Sequence, residues 1–441
     1  MSIQSVPAGV QMLHGKATRK AVIRLMPIIG LIYFMSYIDR TNVSLAKTEL
    51  AADIGLSTAA FGLGAGLFFL TYALLEVPSN LTMYRVGPRV WITRIAVSWG
   101  AVSALMMFVQ NEWSFYLLRL LLGAAEAGLF PALMYMVTTW FAQKDRAKVV
   151  GWIYLAPSIA MVIGGPVGGA LMELDGAFGL HGWQWLFLIE GLATIAVGVF
   201  IWFNLPSAPR DAAWLTPAEA EVLERSAIGG EQETANDLRK NLMVAFGRPF
   251  IGILALVYFL NQIASAGIIF YTPAIIEDLN VSGSFLIGVV AGTAGIGAVI
   301  GALALPRLLG NLQNEAMSLA VPIAGQFVTA TAFVLMPNAT VRIILIGVAM
   351  LFCVGMLPLF WSIAMARMSG IIAAAGLALI NTIGLIGGFV GPYLFGLTEA
   401  SSGDPSSGMA IVIATTAVGL LLVPIVAKSL RREDARTDST V

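Results

Sequence analysis

An all-α membrane protein with twelve spanning helices is the fold this sequence predicts, on three observations. The 441 residues are 58% apolar and only 11% charged. A hydrocarbon core of about 30 Å takes about 20 helical residues to cross, and the chain offers twelve apolar runs of suitable length, at 20–44, 58–82, 90–110, 114–140, 149–172, 183–205, 249–275, 284–305, 317–336, 339–361, 370–396 and 407–427. Lipid cannot satisfy an unpaired backbone group, and no ten-residue alternating strands of barrel type occur, so helices are the remaining way across.

The first span follows Lys16, Arg19, Lys20 and Arg24. It is too long for a signal peptide and ends in Asp39-Arg40 rather than a small-residue cleavage site. Lys47 and Arg342 fall in outer loops, and Arg40 and Arg119 lie within spans. The other basic residues all fall on the side of the amino terminus, so the positive-inside rule places both termini in the cytoplasm. A net charge of zero therefore gives no reason to expect nucleic acid, because the basic residues set topology. Two His and one Cys, Cys353 in an apolar run, leave little for a zinc site or a disulfide framework. No metal or cofactor is expected, and lipid surrounds the spans. Gly62, Gly64 and Gly66 lie inside the second span with no strand or lysine behind them, so no phosphate loop and no nucleotide-driven pump is read there.

The polar interval 206–248 divides residues 1–205 from 249–441, six spans each. Its seven acids and five bases mark it as a solvated linker. Thr216-Pro217-Ala218-Glu219 has the form of a capping box with proline at the first helical position, which predicts a short amphipathic helix. The halves look related: Tyr33-Phe34 and Ile38 match Tyr258-Phe259 and Ile263, and Gly165-Pro166 matches Gly391-Pro392, at offsets of 225 and 226. Parallel repeats with a site between them are a common transporter plan.

Charge separates the two halves. The six ionisable residues placed inside spans are Asp39, Arg40, Glu76, Arg119, Glu126 and Glu190, all in the first half. A charge near the middle of a membrane helix costs about 2.5–3.5 kcal/mol on insertion scales, so each is a functional candidate; for Asp39 and Arg40 the alternative is snorkelling to headgroups. The second half offers neutral polar groups, chiefly Asn261, Gln262, Tyr271, Gln326, Trp361, Ser362 and Asn381.

The chain resembles the major facilitator superfamily and, within it, the anion:cation symporter family. The resemblance covers essentially the whole chain and rests on Tyr37-Ile38-Asp39-Arg40-Thr41-Asn42, Glu76-Val77-Pro78-Ser79-Asn80, Arg119, Gly123, Glu126-Ala127-Gly128 and Pro131 through Trp140-Phe141, Gly164-Gly165-Pro166, Gly182 through Phe187, Glu190-Gly191 and Trp214-Leu215-Thr216. One departure is Tyr84, where the superfamily usually has an acid ahead of Arg85-Val86-Gly87-Pro88-Arg89. The resemblance implies two pseudo-symmetric six-helix bundles in a bacterial inner membrane, a monomer, and uptake of an organic carboxylate with protons. Bacterial hexuronate, galactonate, tartrate, phthalate and hydroxyphenylacetate transporters are similar. It also implies proton coupling by Asp39 and Glu126.

The residues bear on that expectation directly. Tyr33, Tyr37, Arg40 and Ser44 recur at steps of 4, 3 and 4 and share a stripe, with Asp39 about 100° round, near Ser36 and Asn42. A guanidinium is a planar fork suited to a carboxylate and always charged, so Arg40 is the candidate substrate anchor, with Tyr37 and Tyr33 beside it. Tyr72 either joins them or packs at a helix or lipid interface. Arg119 and Glu126 lie seven positions apart, about 10.5 Å along the axis, too far to pair; Arg119 is read as tuning the acids. A carboxylate whose cationic neighbour changes with conformation can load and release a proton, and the alternative for Glu126 is a permanent ion pair. Gln262, Trp361, Asn381 and Asn261 are candidate specificity contacts, though Asn381 would equally serve an interhelical hydrogen bond. For Glu76 and Glu190, structural pairing and transport chemistry both stay open. Exchange or export on the same fold, or a non-transporting membrane sensor, are the alternative functions; no nucleophile, base and metal constellation suggests an enzyme.

Overall fold

The computed structural model describes residues 8–227, 247–310, 312, 314–368 and 370–438. Among the described residues fifteen α-helices form the framework: α1 Ala8–Leu45, α2 Lys47–Ile54, α3 Thr58–Val86, α4 Pro88–Leu105, α5 Glu112–Glu126, α6 Leu129–Trp140, α7 Gln143–Met172, α8 Gly182–Asn204, α9 Pro217–Ala227, α10 Pro249–Asp278, α11 Ser284–Leu309, α12 Glu315–Leu335, α13 Ala339–Ala366, α14 Gly370–Ser402 and α15 Met409–Asp438. Among the described residues twelve segments are long and apolar enough to cross a membrane. Several helices outrun the apolar runs, α1 by a dozen residues, because a helix satisfies its own backbone in water as well as in lipid.

The fourth span is the instructive departure from one unbroken helix. It breaks between α5 and α6 at Gly128, whose φ of +89° suits only glycine. Pro131 has no N–H to give the carbonyl four residues back, and that carbonyl, of Ala127, instead accepts a 2.6 Å hydrogen bond from Ser79 Oγ. Glu126 thereby ends α5, at the electronegative end of the helix.

The two six-helix bundles meet along α3 against α14 and α7 against α11. The close approaches need glycine. A Cβ on Gly165 would strike the carbonyl of Gly288 and one on Gly62 the carbonyl of Pro392. Contacts between bundles extend to the face opposite the linker, where Phe285 N donates to Glu173 Oε1 at 3.3 Å and Thr48 Oγ1 to Glu277 Oε2 at 2.6 Å.

The linker contains a short helix, α9. The capping box forms, with Glu219 N on Thr216 Oγ1 at 3.3 Å and Thr216 N on Glu219 Oε2 at 3.0 Å. However, α9 is docked rather than merely solvated: Glu219, Ala220, Leu223 and Ala227 are buried. Lys20 Nζ reaches Glu219 Oε2 at 2.7 Å, Trp214 stacks on Trp140 at 5.7 Å, and Arg146 caps the Ala227 carbonyl at 3.1 Å. The hydrogen bond from Lys20 holds the Glu219 carboxyl below its ordinary range. Residues 228–246 of the linker lie outside the described residues.

Candidate functional site

Arg40 lies on α1 with its side chain 15% exposed, against a Glu126 side chain that is fully buried. Arg40 Nε and Nη2 both donate to Glu126 Oε1, at 3.0 and 2.5 Å, and Ser36 Oγ adds a third hydrogen bond there at 2.8 Å. Glu126 Oε2 has no hydrogen-bond partner. Three rings enclose the guanidinium: Tyr72 at 5.0 Å, Tyr37 at 5.2 Å and Phe68 at 5.3 Å. A desolvated cation against aromatic faces gains about 2 kcal/mol or more. With two of five donors spent on one carboxylate oxygen, the guanidinium keeps donors for another anion.

Tyr33 packs edge-on against Tyr37 at 5.2 Å and beside Phe130 at 5.8 Å. It is 4% exposed and supports Tyr37 from behind. Tyr72 therefore sits at the arginine rather than in lipid, and the stripe of Tyr33, Tyr37 and Arg40 stays together. Ser36 is the residue whose place the stripe missed. Helical periodicity groups it with Asp39, but it lies one turn before Arg40 and serves the same carboxylate, as i, i+4 neighbours do.

Asp39 turns to α4, where Ser103 Oγ donates to Oδ1. The Trp99 indole also faces Asp39, while neither oxygen of Glu190 has a hydrogen-bond partner among the described residues. Asp39 is 4% and Glu190 5% exposed, so both are buried acids, and neither has a cation in ion-pair contact among the described residues. Arg119 is not that cation. It is 1% exposed, donates to the carbonyls of Gly64 at 3.3 Å and Ala65 at 3.2 Å, and lies 5.1 Å over Phe68. Arg119 makes no ion pair with Glu126 among the described residues, and the Phe68 ring meets both guanidinium groups, Arg119 at 5.1 Å and Arg40 at 5.3 Å.

The candidate contacts offered by the second half are neutral side chains. Asn261 accepts from Gln326 Nε2 at 3.2 Å and donates to the Cys353 carbonyl at 3.5 Å, which ties both side chains into their own bundle and leaves Gln326 Oε1 without a partner among the described residues. Trp361 packs on Tyr258 at 5.2 Å and on Phe360 at 5.3 Å. Gln262 is partly exposed, with its Cβ against the position of Gly387. Asn381, also partly exposed, crosses to the first half: its Nδ2 lies 3.4 Å from each oxygen of Glu76. Glu76 is thus paired between bundles.

A second charged pair goes beyond the sequence reading, which places Lys47 in an outer loop and ends the eleventh span at residue 396. In the structure Lys47 Nζ lies 2.6 Å from both oxygens of Glu399 on α14, with side-chain exposures of 7% and 10%. Tyr271 of α10 covers the ammonium at 4.6 Å. Burial, the largest influence, pulls the pKa of Lys47 below its ordinary value, and Glu399 opposes that pull. The signal was a lysine two turns beyond Arg40 and an acid three residues past the apolar run. At the loop where Tyr84 replaces the usual acid, Arg89 instead donates to the Trp202 carbonyl at 2.6 Å and packs over that indole at 5.1 Å.

A buried arginine paired with a carboxylate and ringed by aromatic side chains, inside a protein with twelve candidate spans among its described residues, suits a transporter. The Major Facilitator Superfamily model matches residues 29–392, and the chain belongs to that family. It is 36% identical over 428 residues, 95% of this chain and 92% of the other, to an Agrobacterium vitis protein provisionally named a tartrate transporter. It is 35% identical, over 95% of this chain and 96% of the other, to the quinolone resistance transporter of Acinetobacter baumannii. The inner membrane transport protein RhmT of Escherichia coli K12 is 33% identical over 92% and 94% of the two chains. In fold it resembles the inward-facing, unoccupied structure of a bacterial homologue of the lysosomal transporter Spinster, with a TM-score of 0.74 at 19% identity over 94% of this chain and 98% of that one. The protein is an integral, multi-pass membrane transporter of a small molecule, not an enzyme.

Proposed function

We propose that this transporter carries an organic carboxylate inward across a bacterial inner membrane, as a monomer with both termini in the cytoplasm, coupled to one or more protons. The observation that carries the reading is the contest for Arg40: one guanidinium, a single carboxylate oxygen of Glu126 taking both of its bonds, and a partly open flank.

In the cycle, Glu126 takes up a proton and releases Arg40, whose fork then grips the incoming carboxylate. Tyr37 and Tyr72 line that grip, Tyr33 backs them, and Gln262, Trp361 and Asn381 contact the substrate from the second half. Asp39 is the second proton site. Arg119 tunes both acids without touching substrate. A bound anion opposite a neutralised Glu126 removes the penalty against closure, the bundles rock, and the lower proton concentration inside favours release. Each charge carried through the full potential is worth about 2.3 kcal/mol per 100 mV, so a second proton with a monoanion adds a voltage-driven term.

The test is carboxylate accumulation by proteoliposomes under an imposed pH gradient. Accumulation driven by the gradient alone supports symport. Dependence on a trapped counter-anion, without proton dependence, replaces symport with exchange. The relative named for quinolone resistance gives export a specific claim; accumulation in the reverse orientation would establish it.

A further inference from the structure

The last helix, α15, has two faces. Val412, Thr416, Val426, Leu430 and Glu433 are buried, and the helix packs on α12 and α10. Val418, Leu421 and Ile425 are exposed on the other face, and exposed Lys428 and Arg432 follow at steps that keep all five within an arc of about 80°. On a spanning helix such an apolar stripe faces acyl chains, so its basic end lies at headgroup level. There Lys428, Arg431 and Arg432 line an open hollow together with the short side chains of Pro424 and Ala427. The acids of the same helix end are turned elsewhere: Glu433 accepts from Arg248 Nη1 at 2.9 Å, and Asp434 from Arg367 at 2.8 and 3.1 Å. Lys428, Arg431 and Arg432 take part in none of the ion pairs among the described residues. Lys428 meets two like charges at i+3 and i+4, an unfavourable spacing. The helix dipole does not offset this, because α15 runs to Asp438, more than a turn past Arg432, and the dipole acts within the last turn. Basic residues that only set topology need charge on the right side of the membrane; they need neither a hollow nor a shared stripe nor acids turned away.

We propose that this end of α15 binds an anionic phospholipid, with Lys428, Arg431 and Arg432 on its phosphate and an acyl chain along Ile425, Leu421 and Val418. A guanidinium fork suits phosphate oxygens, and an ammonium adds a point charge. Three ligands compete for the place. A free phosphate would use the cations and leave the apolar stripe unused. A zwitterionic lipid would use the stripe, yet it carries its own ammonium to the cations. An anionic phospholipid uses both halves of the face at once. On the next turn Glu433 holds Arg248, which leads into α10, and Asp434 holds Arg367, just past α13. The lipid therefore braces the second bundle on the side of the linker.

The experiment places a fluorophore on the full chain carrying Ile425→Cys, since the native Cys353 is buried, and reconstitutes it in phosphatidylcholine vesicles. Nitroxide-labelled phosphatidylglycerol or phosphatidylcholine is then titrated in as quencher. Attraction to anionic lipid is worth about fivefold per basic residue, so half-quenching by the phosphatidylglycerol label should come at a mole fraction at least tenfold lower. Lys428→Gln, Arg431→Gln and Arg432→Gln together should bring the two labels within about threefold and leave quenching by phosphatidylcholine unchanged. If that triple variant fails to insert, Arg432→Gln alone should lower the preference severalfold. Lys16→Gln, Arg19→Gln and Arg24→Gln, which remove three exposed charges from the start of α1, should leave the preference intact. Equal quenching by the two labels overturns the site, as does a preference that survives in the α15 variants. A loss of equal size in the α1 variant shows diffuse surface charge instead, and displacement of the labelled lipid by millimolar glycerol phosphate shows a site for free phosphate; either result overturns the proposal.

Discussion

Arg40–Glu126 and Lys47–Glu399 are the same chemical unit, a cation and a glutamate buried under aromatic rings, with their cations only two helical turns apart along the chain. They differ in who shares them. Arg40 and Glu126 both belong to the first bundle, so motion between bundles leaves the pair intact and only a proton or a competing anion divides it. Lys47 and Glu399 come from opposite bundles and lie on the face away from the linker, so any opening of that face must separate them. The lowered pKa of Lys47 adds that burying this pair is not free. Buried ion pairs commonly return little net stability, while removal of one partner is costly. The first pair suits chemical control and the second mechanical control.

The largest effect should come from Arg40→Ala. Truncating one partner of a buried, hydrogen-bonded charge pair costs about 2–5 kcal/mol, so carboxylate binding by calorimetry should fall thirtyfold or more, with Glu126→Ala unable to restore it. Equal affinity in Arg40→Ala would erase the distinction between the pairs.

Next in size is the pair between bundles. Lys47→Met or Glu399→Gln alone leaves an unpaired buried charge or acceptor, worth about 1–3 kcal/mol, and should shift the population toward opening on the face away from the linker, read as faster labelling of a cysteine placed there. Lys47→Met with Glu399→Leu should return most of that shift. A double variant no better than the singles would show that the ion pair itself, rather than the avoidance of an orphan charge, holds the face closed.

A smaller effect is expected at the linker. Glu219→Ala removes the capping interaction with Thr216 and the bond to Lys20, about 1 kcal/mol from the cap, and should detach α9 from the first bundle, seen as faster amide exchange across 217–227. The pH dependence has a definite sign. The carboxyl of Glu219 is held below its ordinary range in the folded protein, so its contribution is complete above the ordinary carboxylate value and disappears as pH falls through the lowered one. Exchange protection of α9 that grows on acidification would contradict this.

Span number was legible because bilayer thickness imposes a length, and the buried charges of the first half because charge burial imposes a cost; the confinement of intramembrane charge to that half was not, since Glu399 is buried on α14 of the second. The arginine stripe was legible because helical periodicity carries side chains to one face. The break after Glu126 needed two facts at once, the positive φ of Gly128 and a hydroxyl from Ser79 to take the carbonyl orphaned by Pro131; glycine and proline marked the place without stating the outcome. Lys47–Glu399 and Glu76–Asn381 join residues more than 300 positions apart. Nothing local encodes such pairs. The docked face of α9 was hidden in a segment whose charges read as solvated, since Glu219 serves its cap and Lys20 together.

The most direct measurement is uptake against a concentration gradient by Glu126→Gln in proteoliposomes, set beside exchange of the same substrate without a gradient. A permanently neutral side chain at 126 should leave Arg40 free to bind, so exchange persists, while accumulation driven by an inward proton gradient is lost. Normal proton-driven accumulation by the Glu126→Gln protein would contradict the claim that Glu126 and the substrate contend for Arg40 through a proton.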